Sequence, residues 1–416
     1  MAYDGLPTID DQVLAGKRVL LRVAYDVPLT TTNGKTVVAD DTRLRVTVPT
    51  IQQLLANGCA VVICGGWLGR PKGQVVSELR MDPVAERLNQ LLNLPVHKLD
   101  DCVGDSVTQA VSQLAPGQIV LLENTRFHPE ESANDPQFAD QLAALGEVCV
   151  FDAFAQAHRN HASTVGLVER LPTVLGPLMV AELTALNRVT TSPEPPFVVV
   201  MGGAKITDKM QLLRKLIDAA NQVLIGGAIA NVFIRARGGD VGASMVESAP
   251  IDGQALDPLV LARELSERAG DKLILPTDFM AGDDQLHPTI TEVVVLGPDS
   301  APTGHGFFDI GPATQARFAE IIRTAKTVFW NGTMGVNTTS EYAAGSKAVA
   351  TAIAHNKQAT TIVGGGDTSE AVHQFGLDNE FTHVSTGGGA SLAVVSGTGL
   401  AVLDAMHAKG GSRAAV

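Results

Sequence analysis

Aromatic residues are scarce: Phe, Tyr and Trp make up 4 % of the 416 residues. A surface that stacks the bases of single-stranded nucleic acid needs several of them together, so that class is excluded. Positive charge is short as well. Lys and Arg number 31 against 44 Asp and Glu, for a net charge of −13. An acidic chain repels nucleic acid and anionic membranes, and neither is expected as a partner. No apolar run reaches the ~18 residues that a membrane span requires. The N-terminal stretch MAYDGLPTIDDQ lacks the basic and apolar regions of a secretory signal. Cysteine is limited to Cys59, Cys64, Cys102 and Cys149, without CxxC spacing. Reduced thiols in a cytoplasmic protein are the expectation.

What remains is a globular composition, 45 % hydrophobic and 18 % charged. At roughly 150 residues per domain the length predicts two or three domains. Short Val/Ile/Leu-rich runs, such as 18–23, 59–64, 118–123 and 147–152, alternate with helical patterns at 83–92 and 136–145. The pattern repeats, with strands at 196–202, 222–227, 272–277, 292–297, 327–332 and 360–366 and helices at 208–219 and 313–325. Continuous apolar strands between helices predict α/β architecture with doubly wound, Rossmann-like parallel sheets, here in two lobes. Residues 172–190 read as a helix, and the Pro-rich TTSPEPP that follows marks a seam. The expected division is a lobe at 1–171, a hinge helix at 172–190, a second lobe at 191–397 and a returning segment at 398–416.

Glycine is plentiful, at 41 residues against a typical ~7 % of a chain. It closes strand after strand in the second lobe: VVVMGGAK, VLIGGA, VFWNG, IVGGGDTS and VSTGGGAS. Any one such turn could serve turn geometry alone. Five together favour a phosphate cradle, because glycine lets backbone N–H groups and helix N-termini approach an anion. Neither GxGxxG nor GxxxxGK[ST] is present, which removes the dinucleotide fingerprint and the P-loop. Lys205 and Lys209 are one turn apart at a helix start, where two ammonium groups oppose the dipole unless an anion is bound. Asp367, after three glycines, suits Mg²⁺ at nucleotide phosphates, or an N-cap. In the first lobe Arg43, Arg70, Arg126 and Arg159 sit in loops or strand ends, and guanidinium groups suit phosphate and carboxylate. His158 and His161 have no third metal ligand nearby and read as hydrogen-bonded structural groups. Ser163 lacks the GxSxG setting of a hydrolase nucleophile. A nucleotide lobe and an arginine-rich lobe joined by a hinge imply phosphoryl transfer from ATP to an anionic substrate.

The ordered motifs LAGKRVLLRV, DDTRLR, LGRPKG, LLENTRFHPEE, AHRNHASTVG, GGAKITDK, DIGPAT, WNGTMGV, GGGDTS and HVSTGGGASL resemble the phosphoglycerate kinase family from about residue 9 to 407. The resemblance implies two Rossmann-like lobes, a cytoplasmic monomer and ATP/ADP as co-substrate with Mg²⁺. The reaction it implies is phosphoryl transfer to the carboxylate of 3-phosphoglycerate. By the same resemblance Arg43 and Lys205 contact the transferring phosphoryl, with Gly365 and Gly388 among the catalytic backbone donors of Gly364–Gly366 and Gly387–Gly389. Lys209, Asn331 and Thr368 meet nucleotide phosphates, Asp367 the metal, and Gly226 and Gly227 the adenine. Arg70, Arg126 and Arg159 clamp the substrate's own phosphate.

The departures lie in the recognition shell. RVDFNVP of the family is RVAYDVP here, so Ala24 and Asp26 replace an aspartate and an asparagine that hold substrate. SHLGRP is GWLGRP, which puts Trp67 in place of histidine. WNGPMGVFE is WNGTMGVNT, with Thr333 for proline and Thr338 for the ribose-contacting glutamate; Glu341 is nearby in sequence. The substrate expectation therefore widens to a small phosphorylated or phosphonate carboxylic acid. A non-catalytic nucleotide-binding regulatory or scaffold protein on the same fold is the alternative.

Overall fold

The computed structural model describes residues 5–204, 206–246, 257–297 and 304–413. The chain divides into two compact units. One takes in residues up to Thr184 together with the stretch from Gly399 onward, and the other is Ala185–Thr398.

The first unit is built on a six-stranded parallel sheet. Its strands lie in the order Val96–Lys98, Ile119–Leu121, Ala60–Cys64, Arg18–Arg22, Val148–Phe151 and Thr173–Leu175. The inner strands are buried along their length because helices cover both faces. Val19, Leu21, Val61, Ile63 and Val150 pack on one face with Leu44, Ile51, Leu54 and Leu88. The end helix Ala401–Arg413 belongs to this unit. Its Lys409 donates to the carbonyls of Val168 and Leu171, at the end of the helix Leu167–Arg170.

The second unit has its own six-stranded parallel sheet. The order is Leu273–Ile274, Gln222–Ile225, Phe197–Met201, Thr327–Asn331, Thr360–Gly364 and His383–Val384. Two parallel-sheet α/β units are the architecture that the alternating pattern predicts.

Two assignments need correction. Thr291–Val295, read as one of the covered parallel strands, lies instead in a separate antiparallel sheet with Asp278–Gly282 and Gly306–Ile310. Four of its five residues are exposed, so a single-sided sheet and not a doubly covered one accommodates its valines. The stretch 172–190 is not helical throughout. Thr173–Leu175 is the edge strand paired with Cys149–Phe151, and the helix begins at Pro177. Proline at a helix's first position has the right φ and no N–H to lose, so Gly176-Pro177 sets the boundary.

Asp152 fixes that helix start. Its carboxylate accepts the Met179 N–H at 3.0 Å and the Thr50 hydroxyl at 2.7 Å, and it is fully buried. Burial lifts its pKa to about 6 despite these donors. The folded value lies above the unfolded one, so this group's stabilisation is complete below about pH 4 and declines as pH rises through about 6. Asp152→Asn should flatten that decline in chemical denaturation from pH 4 to 7. Asp152→Ala, which orphans buried donors, should lower stability by ~1–3 kcal/mol at any pH in that range.

Candidate functional site

In the first unit the arginine-bearing loops follow the carboxyl ends of the strands, where open α/β sheets place ligands. The segment after Arg18–Arg22 carries Ala24 and Asp26, and the segment after Ala60–Cys64 carries Trp67 and Arg70. Asp26 is a junction. Its carboxylate accepts the Gly69 N–H at 2.9 Å, and its backbone carbonyl accepts a guanidinium N–H of Arg43 at 3.1 Å. Arg126 donates to the Gly69 carbonyl at 3.0 Å. Burial lowers the Arg126 pKa; Asp26 and Glu131 oppose that shift, and Arg159 and Arg70 add to it. These four charged groups are therefore electrostatic neighbours of Arg126.

Trp67 packs into the middle of this cluster. It is 4 % exposed, with its ring 4.3 Å from the Arg126 guanidinium carbon, 5.3 Å from that of Arg22 and 4.8 Å from the His161 ring. Flat aromatic faces attract guanidinium groups and hold their planes. Arg43 and Arg126 are half-buried, Arg70 and Arg159 exposed, and Ala24 buried. Among the described residues neither His158 nor His161 has a hydrogen-bond partner for its buried Nδ1, while the His161 main-chain N–H donates to the Thr164 hydroxyl at 3.0 Å. Burial and the neighbouring Arg159 and His161 push the His158 pKa down, which keeps it neutral at pH 7. Nδ1 of His161 is 3.6 Å from Glu131, too long for a hydrogen bond. Ser163 is structural: it donates to Glu131 through Oγ at 2.6 Å and through N–H at 3.0 Å.

Two buried charges under this surface escaped the sequence reading. Arg22, fully buried, donates to the Ser163 carbonyl at 2.8 Å and to Gln156 at 2.6 Å. Glu131 is fully buried as well. An arginine inside the apolar run RVLLRV was the available signal, because a buried charge needs partners.

The second unit assembles the glycine-rich ends. The helices Gly227–Ala236, Gly366–Gln374 and Gly388–Ser396 begin directly on glycine, with Gly226, Gly365 and Gly387 as N-caps. A side chain added at Gly388 would come within 3.4 Å of the Gly366 amide nitrogen, so two helix starts, each with free N–H groups, converge. Gly364 ends its strand, and Gly389 lies in the first turn of the last of these helices. Lys209 is buried and donates to the Gly202 carbonyl. Gly332, at φ 91°, must lack a side chain because Lys209 and the Gly202 carbonyl occupy that space. Asn331 donates to the Gly364 carbonyl at 2.8 Å, and its buried Oδ1 has no partner among the described residues. Thr368 is fully buried and accepts the Gly332 N–H at 2.6 Å. Lys205 lies outside the described residues.

A cavity of about 260 Å³ opens beside these turns. Gly203, Gly227, Thr338 and Asp367 line it, as do Asn231 and Asn337. Glu341 does not line it; it is exposed and accepts the Ser340 hydroxyl at 2.7 Å. Asp309, also on the wall, is buried and its pKa is lifted to about 7, though the Gly345 and Ile310 N–H groups donate to it. The exposed Asp367 is the better hard-oxygen ligand for a cation at nucleotide phosphates.

Elsewhere Asp101, Cys102 and His128 bring ligand-type atoms within 4.8 Å of one another. His128 Nε2 and Asp101 are only 2.7 Å apart. Two ligands of a tetrahedral Zn²⁺ stand about 3.3 Å apart, given bonds near 2.0 Å, so this contact is a hydrogen-bonded ion pair. All four cysteines are free and buried. Among the described residues no single helix is long and apolar enough to cross a membrane.

The family model for phosphoglycerate kinase matches residues 9–398. The chain belongs to the phosphoglycerate kinase family. It is 44 % identical over 405 residues to phosphoglycerate kinase of Herpetosiphon aurantiacus, covering 97 % of this chain and 99 % of that one. The Moorella thermoacetica enzyme is 44 % identical over 396 residues, covering 94 % and 97 %. Among solved structures, phosphoglycerate kinase from Coxiella burnetii superposes with a TM-score of 0.82 at 33 % identity, covering 97 % of this chain and 99 % of that one. That from Pyrococcus horikoshii gives 0.83 at 31 %, covering 97 % and 98 %. The chain is thus a phosphotransferase with a carboxyl group as acceptor, and ATP/ADP is its co-substrate.

The Trp67 stack gives this family member a built-in reporter. Besides Trp67 the chain has only Trp330, which is fully buried in the other unit. Binding of an anionic acid at Arg126 should alter tryptophan emission in the wild type. The change should vanish in Trp67→Phe, as read by fluorescence titration.

Proposed function

We propose that the protein transfers a phosphoryl group between ATP and the carboxylate of 3-phosphoglycerate, or of a phosphorylated or phosphonate analogue, forming an acyl phosphate. The observation that carries this reading is the gathering of Arg43, Arg126, Asp26 and Trp67 on one short loop cluster, with Arg70 and Arg159 in electrostatic reach. Arg70, Arg126 and Arg159 hold the substrate's phosphate or phosphonate. Arg43, and Lys205 by its place in GGAK, offset charge on the transferring group. The backbone donors at Gly364–Gly366 and Gly387–Gly389 add to that, and Gly365 and Gly388 carry the helix starts. Lys209, Asn331 and Thr368 order the phosphate turns, and Gly226 and Gly227 border the base.

Chemistry is direct in-line transfer, in which the protein positions both reactants and stabilises charge without a covalent enzyme intermediate. Mg²⁺ suits the site by its donor chemistry: Asp367 is an exposed carboxylate at the mouth of the cavity, and Mg²⁺ binds one or two carboxylates plus substrate phosphates. When bound it neutralises nucleotide phosphate charge. The helix Pro177–Thr190 runs across the boundary between the two units. We take it, with the connection near 398, as the hinge of a cytoplasmic monomer.

The altered shell bears on substrate choice. Asp26 spends one carboxylate oxygen on the Gly69 N–H and has Arg126 as counter-charge. Its negative charge is therefore partly offset, yet it still offers no amide donor to a substrate carboxylate. Ala24 cannot bond a hydroxyl, and Trp67 fills space with a neutral ring. Lost hydrogen-bonding groups are expensive in specificity. Turnover of 3-phosphoglycerate is expected at roughly 10²-fold below that of a family member with the usual shell, about 2.7 kcal/mol in barrier. Hydroxylamine trapping of acyl phosphate, over a panel of phosphorylated and phosphonate acids, measures it. The triple change Ala24→Asp, Asp26→Asn, Trp67→His should raise activity on 3-phosphoglycerate. Arg43→Ala or Lys205→Ala should cost ~10²–10³ in turnover on the best substrate. Near-normal turnover in either would remove it from the catalytic role. A folded protein that binds ATP but traps no acyl phosphate from any acid would be a nucleotide-binding regulator.

A further inference from the structure

The cavity of the second unit holds two amide side chains that the fold does not satisfy. Asn337 lines it, and both Oδ1 and Nδ2 are buried without a hydrogen-bond partner among the described residues. Asn231, on the helix that starts at Gly227, is 2 % exposed; its Oδ1 is also unpartnered, and its Nδ2 reaches the Met245 carbonyl only at 3.4 Å. An unmade hydrogen bond on a buried amide costs more than a made one contributes, so such groups call for an explanation.

Backbone disorder around Asn337 is not that explanation. Val336 donates its N–H to the Phe308 carbonyl at 3.0 Å. Thr339 donates its N–H to the Val336 carbonyl at 3.0 Å and its hydroxyl to the Gln285 carbonyl at 2.9 Å. The main chain on both sides of Asn337 is held, and the carboxamide alone is left over. Turning it toward a polar group in the cavity breaks no hydrogen bond and forms up to two.

The rest of the cavity says which polar group. Gly203 and Asp367 mark its phosphate end, while Met245, Phe279 and Phe307 make an apolar wall. Phe279 and Phe307 stack at 4.4 Å, which makes that wall rigid. A flat heterocycle suits an apolar wall, and its edge must then be met by something polar. Thr338, exposed on the same loop, offers one short hydroxyl. Asn337 offers an acceptor and a donor side by side, the pattern that pairs with the 6-amino group and N7 of adenine, an edge on which a 6-oxo purine presents two acceptors.

We propose that Asn337 is a nucleobase-specificity residue, reading the amino edge of adenine through its carboxamide, with Asn231 Oδ1 as a further acceptor in the same cavity. This rests on reading the cavity as the nucleotide pocket. The protein would then discriminate a 6-amino from a 6-oxo purine by hydrogen bonding and not by shape alone.

The test is equilibrium binding by calorimetry, with ADP and inosine 5′-diphosphate, which differ at that edge. A bidentate amide–base pair discriminates by roughly 5- to 100-fold. Wild type should prefer ADP by that factor. Asn337→Leu, of similar size and without polarity, should bring the ratio below about threefold, mainly by weakening ADP. Asn337→Ser serves as a second variant, with circular dichroism and thermal midpoint showing that each is folded. An equal affinity of wild type for the two diphosphates overturns the proposal, as does an unchanged ratio in a folded variant. Failure of the kinase reading looks different. Neither diphosphate would bind to wild type, which overturns the pocket assignment and the proposal with it, or acyl phosphate would not form although the preference for ADP is present.

Discussion

Positive charge concentrated where solvent is limited is the constraint on which the first unit depends. Arg22 is fully buried and Arg126 is half-buried, with Arg43, Arg70 and Arg159 close by. Such a cluster repels itself unless something offsets it. The fold supplies Glu131 beneath, the Asp26 carboxylate at one side and the Trp67 ring face between two guanidinium groups. Three devices thus hold the arginines in place while leaving net positive charge for a ligand. The second unit meets the same need differently, with helix N-termini and glycine turns in place of side-chain charge. In an acidic protein these are the places where an anion is welcome.

The substitutions around the substrate cluster acquire a physical meaning from these contacts. Asp26 is not simply a charge aimed at a substrate. It ties the Gly69 loop to the segment after the first strand, and its backbone holds Arg43. Trp67 occupies the centre of the cluster and fixes its planes. Ala24, Asp26 and Trp67 depart together from the residues the family resemblance leads one to expect, while Arg43, Lys205, Lys209 and Asp367 keep those residue types.

Much of this was legible in the chain. Uninterrupted runs such as AVVIC and FVVVM read as strands covered on both faces, and they are. Glycine after strand after strand marked the helix starts at Gly227, Gly366 and Gly388. Thr291–Val295 misled because a valine run in isolation does not say whether one face or two is covered. Thr173–Leu175 was hidden because the apolar stretch from Val174 to Ala181 has no polar residue to separate strand from helix. Arg22, Glu131 and Asn337 could not be read as linked or orphaned, since their partners lie far off in sequence or are missing. Partnership across a fold is a property of packing, and local pattern does not carry it.

The most direct test of the account is where the new bond forms. The reaction would be run with Mg²⁺, ATP and 3-phosphoglycerate labelled with ¹⁸O in its carboxylate, and followed by ³¹P NMR. The account predicts an acyl-phosphate resonance shifted by an ¹⁸O bound to the transferred phosphorus, growing as ADP appears, although slowly. Formation of ADP and inorganic phosphate alone, with no phosphorus carrying the carboxylate label from this acid or from any phosphorylated or phosphonate acid labelled in the same way, would contradict it.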